Sequence, residues 1–223
     1  GVGLWGETHS VRLCRKWKMM PVTVLITGGI GSGKSAVSSI LESEGIPVYD
    51  SDSRTKALYD SDLRLRENLE SLLGVSLMTT EGKFDRKLFA SMIFANADLL
   101  REVENVVHPA VLEDFEQWRE TALTRTGIVC MESAIALDKP IFRGSYDLVV
   151  MVDAPEQLRI ERACRRDEAD PEAIMARIRQ QEIDFSKADY IIENNDSLSS
   201  LKASVSSVFE KIKAEMENGK LHN

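Results

Sequence analysis

The chain has 223 residues, 43% of them hydrophobic and 29% charged, which fits one folded domain of ordinary size, with or without an insertion, and not a disordered or fibrous chain. A formal net charge of −8 speaks against a nucleic-acid partner, since such proteins carry a basic face or stripe. The widely spaced Cys14, Cys130 and Cys164 argue against a disulfide framework or structural zinc site and fit a reducing, cytoplasmic compartment, and the apolar runs fall far short of the roughly 20 residues that a membrane span needs.

Residues 1–18 (GVGLWGETHSVRLCRKWK) hold no sustained apolar stretch and do not read as a secretory signal. Met19 and Met20 stand directly before the first strand. The leader is therefore expected to be a remnant from upstream of the natural start, with a packed extension using Trp5 and Trp17 as the alternative.

From Val22 to Thr27 the chain is rich in β-branched residues and reads as a buried strand ending at Gly28. Val37, Ile40 and Leu41 follow at helical spacing, and Gly45 closes that helix. Between strand and helix lies Gly28-Gly29-Ile30-Gly31-Ser32-Gly33-Lys34-Ser35, which fits G-x-x-x-x-G-K-[ST], with Ala36 next in the helix. Glycines let such a loop wrap closely, so that backbone N–H groups point inward at phosphate oxygens. The helix N-terminus adds positive potential. Lys34 is expected to reach the β- and γ-phosphates of a nucleoside triphosphate, and the Ser35 hydroxyl to ligate Mg²⁺. A guanine-reading N-K-x-D and an L-S-G-G-Q signature are both missing from the sequence, which leaves a small-metabolite kinase in front of a GTPase or a transporter ATPase.

Ile46–Tyr49 reads as the second strand, and Asp50-Ser51-Asp52 follows it. Ligands of open α/β sheets bind at the C-terminal ends of strands, and an acceptor hydroxyl needs a carboxylate to take its proton. On an extended chain Asp50 and Asp52 would point the same way; Asp52 is the candidate base, and Asp50 an assistant or an indirect Mg²⁺ group. The competing reading makes Asp52 the cap of a helix starting near Ser53. Residues 53–126 then carry helical patterns over Leu63–Leu73, Asp85–Phe94, Leu99–Val107 and Pro109–Leu123, far more than one crossover requires, and are read as a helical substrate-binding insertion. Pro109 is expected to begin a helix. His108 before it is either a substrate contact or a junction residue satisfying a backbone group.

Gly127–Met131, Leu148–Val152 and Tyr190–Ile192 read as strands three to five, and Cys130 as a small core residue. Residues 159–186 form a polar segment with Arg159, Arg162 and Arg166 on one helical face. It is read as a lid whose arginines close over transferring phosphates; a solvated face pairing with Glu161, Asp167 and Glu168 is the alternative. Asp170-Pro171 starts a second helix within it. Asn194 to Asp196 would approach adenine, and Leu201–Ile212 forms an amphipathic helix with a polar tail from Glu215. Apolar strands alternating with helices predict an α/β fold of P-loop NTPase type: a three-layer α/β/α arrangement with a five-stranded parallel sheet, built from residues 19–52, 127–158 and 187–223.

These residues together resemble the dephospho-CoA kinase family. The resemblance is carried by T-G-G-I-G-S-G-K-S, G-I-P-V-Y-D-S-D, Phe84–Leu88, Val106-Val107-His108-Pro109, Val152–Leu158 with Arg162 and Arg165-Arg166-Asp167, Arg177-Ile178 with Gln180-Gln181, and Lys187–Asn194. It spans about Val22 to Leu201 and implies ATP-dependent phosphorylation of the ribose 3′-hydroxyl of dephospho-CoA, with Mg²⁺ as cofactor and ATP and dephospho-CoA as partners. It also implies Asp52 as the base and Arg162 and Arg166 as the lid arginines; Asp50, His108 and Glu132 are read beside them as substrate-side candidates. One departure is visible: Glu132-Ser133-Ala134-Ile135-Ala136-Leu137-Asp138 stands where the family carries an acid followed by P-L-L-x-E, so Glu132 and Asp138 would supply the two acids, with Glu132 also a possible outer Mg²⁺ group. Another nucleoside monophosphate kinase, or a nucleotide-binding regulator without catalysis, are the competing readings. Monomer and small homo-oligomer are both open.

Overall fold

A computed structural model describes residues 20–94 and 96–219; the leader, with Trp5, Cys14 and Trp17, lies outside the described residues. In chain order the elements are β1 (Val22–Gly28), α1 (Lys34–Ser43), β2 (Val48–Asp50), α2 (Ser51–Ser61), α3 (Leu63–Leu73), α4 (Arg86–Ile93), α5 (Ala97–Leu123), β3 (Ile128–Glu132), β4 (Leu148–Asp153), α6 (Glu156–Asp167), α7 (Pro171–Gln180), β5 (Tyr190–Glu193) and α8 (Leu198–Glu217). The five strands form one parallel sheet in the order β2-β3-β1-β4-β5. Every residue of the central β1 is buried, which is why that segment reads as an unbroken apolar run instead of an alternating one.

Alternation along the strands divides the core into two layers. Val22, Val24 and Ile26, with Cys130, Val150 and Val152, pack against α1 and α8. Leu25, Met131 and Val149 face the other way, toward α5 and the insertion helices. The register places Asp50 beside Glu132 and Gly28 beside Val152, so the ends of four adjacent strands meet along one edge of the sheet. Burial pushes the Cys130 thiol up, away from reactivity.

Three expectations need correction. Leu99–Val107 and Pro109–Leu123 are one helix, with Pro109 inside it. An internal proline costs a helix about 3 kcal/mol, but Val103, Val107, Val111 and Phe115 recur every four residues on both sides of it and are all buried. That continuous stripe overrides the local signal. Asp50 and Asp52 do not share an extended strand, because α2 begins at Ser51 directly after β2. The cap is Asp50, whose carboxylate accepts from the backbone N–H groups of Asp52 and Ser53; Asp52 lies in the first turn. Finally, α8 runs past Glu215 to Glu217 and buries Met216, so the helix outlasts the amphipathic stretch read from the sequence.

The insertion is fastened to the sheet through Tyr49, which is 1% exposed. Its ring meets Phe115 edge-on at 5.1 Å between centroids, and its hydroxyl donates to Asp114 Oδ2 at 2.7 Å. Arg54 of α2 grips the same carboxylate through two N–H groups, at 2.9 and 2.6 Å. Burial, then the Asp114 carboxylate, raises the Tyr49 phenol well above its ordinary value, so it remains a donor. Phe115 is fully buried; Phe115→Ala is expected to cost about 3–5 kcal/mol, read as a lower urea midpoint at unchanged slope.

Candidate active site

The phosphate loop leaves β1 at Gly28 and enters α1 at Lys34. Gly33 caps the helix in the left-handed region, at φ 100°, where side chains other than hydrogen are strained. A Cβ there would also lie 2.1 Å from the Asn194 amide nitrogen. That amide is turned inward at the end of β5, 7% exposed, and donates to the Ser32 carbonyl at 2.8 Å. Asn194 thus braces the loop, while Asn195 and Asp196 after it are exposed.

Lys34 folds back over the loop and donates to the carbonyls of Gly28 at 3.0 Å and Gly29 at 3.2 Å. Burial lowers its pKa from the ordinary lysine value; Glu132 and Asp52 oppose that, while Arg166 and Arg159 reinforce it. The ammonium is thereby poised among two acids and two cations. Ser35 follows on α1, and its hydroxyl donates to Glu132 Oε1 at 3.1 Å, while Ser38 donates to Oε2 at 2.6 Å. Glu132, 9% exposed at the end of β3, is held from both sides against α1.

These groups line one cavity of about 590 Å³, together with Asp50, Asp52, Lys56, Arg162, Arg166 and Arg177. Of the residues expected to form a site, the structure brings together the loop, the acid pair, Glu132, Arg162 and Arg166. Arg166 forks onto its neighbour Asp167 at 2.6 and 2.9 Å, and Arg177 of α7 reaches the same carboxylate at 3.2 Å. The Arg166 contact, ahead of Arg177, pulls Asp167 down to about 2. Three guanidinium groups, of Arg162, Arg166 and Arg177, therefore line the same cavity as the acids. A second cavity of about 600 Å³, which shares Ala134 with the first, opens between Gly28, Ile135, Asp138 and the segment from Gln180 to Lys187.

His108 is not among the residues lining either cavity. It is half-buried on α5, its ring 5.7 Å from that of Phe142, and burial lowers its pKa, with Glu104 opposing and Lys139 assisting. Arg159 also departs from its expected place: it points beneath the loop and donates from Nε to the Ile30 carbonyl at 2.9 Å. Lys56 and Arg177 went unread as wall residues. Lys56 was within reach of the sequence, since it stands four residues after Asp52 and so on the same face of α2. Gln181, whose side-chain oxygen accepts from the Ile30 N–H at 2.7 Å, stood among the residues of the resemblance, but nothing local showed that it would reach the loop.

Among the described residues, no group of three or more His, Cys, Asp or Glu is arranged to hold a metal ion unaided, and no helix is long and apolar enough to cross a membrane.

A family model described as dephospho-CoA kinase matches residues 22–200. A dephospho-CoA kinase of Porphyromonas gingivalis is 44% identical over 167 residues, covering 75% of this chain and 81% of that protein. One of Bacteroides fragilis is 42% identical over 179 residues, covering 79% and 86%. The solved structure of a dephospho-CoA kinase from Campylobacter jejuni superposes with a TM-score of 0.61 at 26% identity, covering 85% of this chain and 96% of that one.

Proposed function

The chain belongs to the dephospho-CoA kinase family, and we propose that the cavity above transfers the γ-phosphoryl group of ATP to the ribose 3′-hydroxyl of dephospho-CoA, giving CoA and ADP, the last step of CoA biosynthesis. The observation that carries this is the meeting of the phosphate loop, the exposed Asp52 carboxylate and the arginine wall in a single cavity. In this scheme the N–H groups from Gly28 to Ala36 and the Lys34 ammonium hold the β- and γ-phosphates. The Asp52 carboxylate orients the acceptor hydroxyl and takes its proton as the oxygen attacks phosphorus; the bond from phosphorus to the β-phosphate oxygen breaks and ADP leaves. Arg162 and Arg166 stabilise the charge spread over the transferring group. Residues 53–126 form the acceptor side and residues 159–186 the lid.

Asp50 contributes by holding Asp52: its capping bonds fix the turn from which Asp52 projects. His108 takes no part in this scheme, being apart from both cavities. Two adjoining cavities suit two substrates, with Asp138 and Lys187 lining the second.

Magnesium fits the donor set. Ser35 hydroxyl and the Glu132, Asp50 and Asp52 carboxylates are hard oxygen groups around one cavity, and Mg²⁺ prefers a few such groups plus water and substrate phosphates to a complete protein cage. Ser35 would hold it, with Glu132 behind; when bound, the ion neutralises charge on the β- and γ-phosphates. Chelation with excess EDTA is expected to abolish turnover, and added Mg²⁺ to restore it. A cytoplasmic location is proposed from the free, buried Cys130 and the substrate class.

The test is ADP release with ATP and Mg²⁺, comparing dephospho-CoA, AMP, CMP and no acceptor. Release that depends on dephospho-CoA, with CoA seen by mass, supports the assignment. Release with a nucleoside monophosphate instead would replace the acceptor and leave the fold untouched.

A further inference from the structure

We propose that Arg159 is a positioning residue for ATP: a buried, uncompensated cation that clamps the phosphate loop from beneath and fixes the Ile30 carbonyl. This rests on the phosphate loop being the ATP site. Arg159 belongs to α6, yet only 8% of it is exposed, a degree of burial that arginine almost never reaches unless paired. None of the ion pairs among the described residues involves it. Its Nε donates to the Ile30 carbonyl at 2.9 Å, while its Nη2 is buried without a hydrogen-bond partner.

The fit to the loop is close. A Cβ on Gly29 would lie 2.2 Å from Arg159 Nη2, and one on Gly31 would lie 2.1 Å from the Arg159 carbonyl oxygen. The Gly31 contact is with backbone and cannot yield, so that glycine is required by α6 as well as by the ligand; at Gly29 the guanidinium itself would have to move aside. Ile30 is held at both polar ends, its carbonyl by Arg159 and its N–H by Gln181, and its side chain packs against the α6–α7 cluster. The loop and the lid are therefore joined at Ile30, through the two peptide groups on either side of it. A guanidinium keeps its proton, and burying one without an anion is costly. The anion that this charge lacks within the protein is the one the loop is built to hold, a polyphosphate, and Lys34 already feels the Arg159 charge.

The test is ATP affinity by calorimetry with Mg²⁺, on the wild type, Arg159→Gln and Arg159→Lys, with steady-state constants for both substrates and melting curves without nucleotide. The glutamine variant is expected to bind ATP roughly tenfold or more weakly, the loss of a charge-assisted hydrogen bond. Its KM for ATP should rise in step, with KM for the acceptor within about twofold. Lysine, which restores charge without the planar fork, should recover part of the affinity. A folded glutamine variant with wild-type ATP affinity overturns the proposal, whatever its melting temperature. If that variant does not fold, the lysine variant decides: wild-type affinity overturns the clamp, weakened affinity supports it. Failure of the wild type itself to bind ATP would instead sink the assignment of the loop.

Discussion

Lys34→Ala is expected to lower turnover about a thousandfold, the scale of removing one preorganised electrostatic contact from a developing charge, and to weaken ATP binding as well. The reason is positional. Lys34 Nζ is tethered to the Gly28 and Gly29 carbonyls, so the ammonium waits beside the loop at a fixed point and needs little rearrangement to meet a phosphate. Its partial burial sharpens the effect, because charge interactions strengthen where water is excluded. The same burial carries a pH consequence. Since the folded-state pKa is lowered, the ammonium loses its proton at a lower pH than an exposed lysine would. ATP affinity should be full below that point and fall as pH rises through it. Lys34→Arg is not expected to rescue, since a planar fork cannot replace a compact ammonium in the same pocket. The check is kcat, KM and direct ATP binding on all three proteins; an alanine variant with intact turnover would overturn the phosphate-loop assignment.

Asp52→Asn is the second large effect, and its pattern differs. The amide keeps the size of the side chain but cannot take a proton. Turnover is expected to drop by about 10²–10⁴, the usual contribution of a positioned base, while ATP affinity stays within about twofold. Loss confined to kcat identifies a group that acts in the transition state instead of in nucleotide binding. Because Asp52 lies in the first turn of α2 and makes no capping bond, the substitution should leave the melting temperature near that of the wild type. Unchanged turnover would remove Asp52 from the base role.

The legible parts of this protein were those encoded locally. The glycine loop, its lysine and serine, the strand before it and the helix after it occupy consecutive positions, so spacing alone placed them. The bounds of α3 were legible for the same reason: Leu63 to Leu73 follows a capping Asp62 and ends before Gly74. What was hidden depends on burial by distant segments. Nothing in Arg159-Ile160-Glu161-Arg162 distinguishes an arginine that dives under the loop from one that faces the cavity; α6 settles it only by packing on Ile30. Pro109 misled for the opposite reason. Its local signal is strong, yet the buried stripe from Val103 to Phe115 extends across it, and tertiary packing wins. The acid pair was found by its place at a strand end; what the structure corrects is the competing reading of Asp52 as the cap, which is Asp50. The cap is chosen by where α2 begins, at Ser51 and so two residues earlier than the start near Ser53 read from the sequence.

That early start has a further consequence. β2 ends at Asp50 and α2 begins at Ser51, with no loop between them. The backbone bearing Asp52 is therefore tied on one side to the register of Asp50 with Glu132 and on the other to the helix that Arg54 bolts to Asp114. Active-site groups on loops carry the slack of the loop; groups on regular elements hold their place to a fraction of an ångström. The carboxylate proposed as base inherits the tolerance of the sheet itself, so the acceptor hydroxyl is the partner that must come to it.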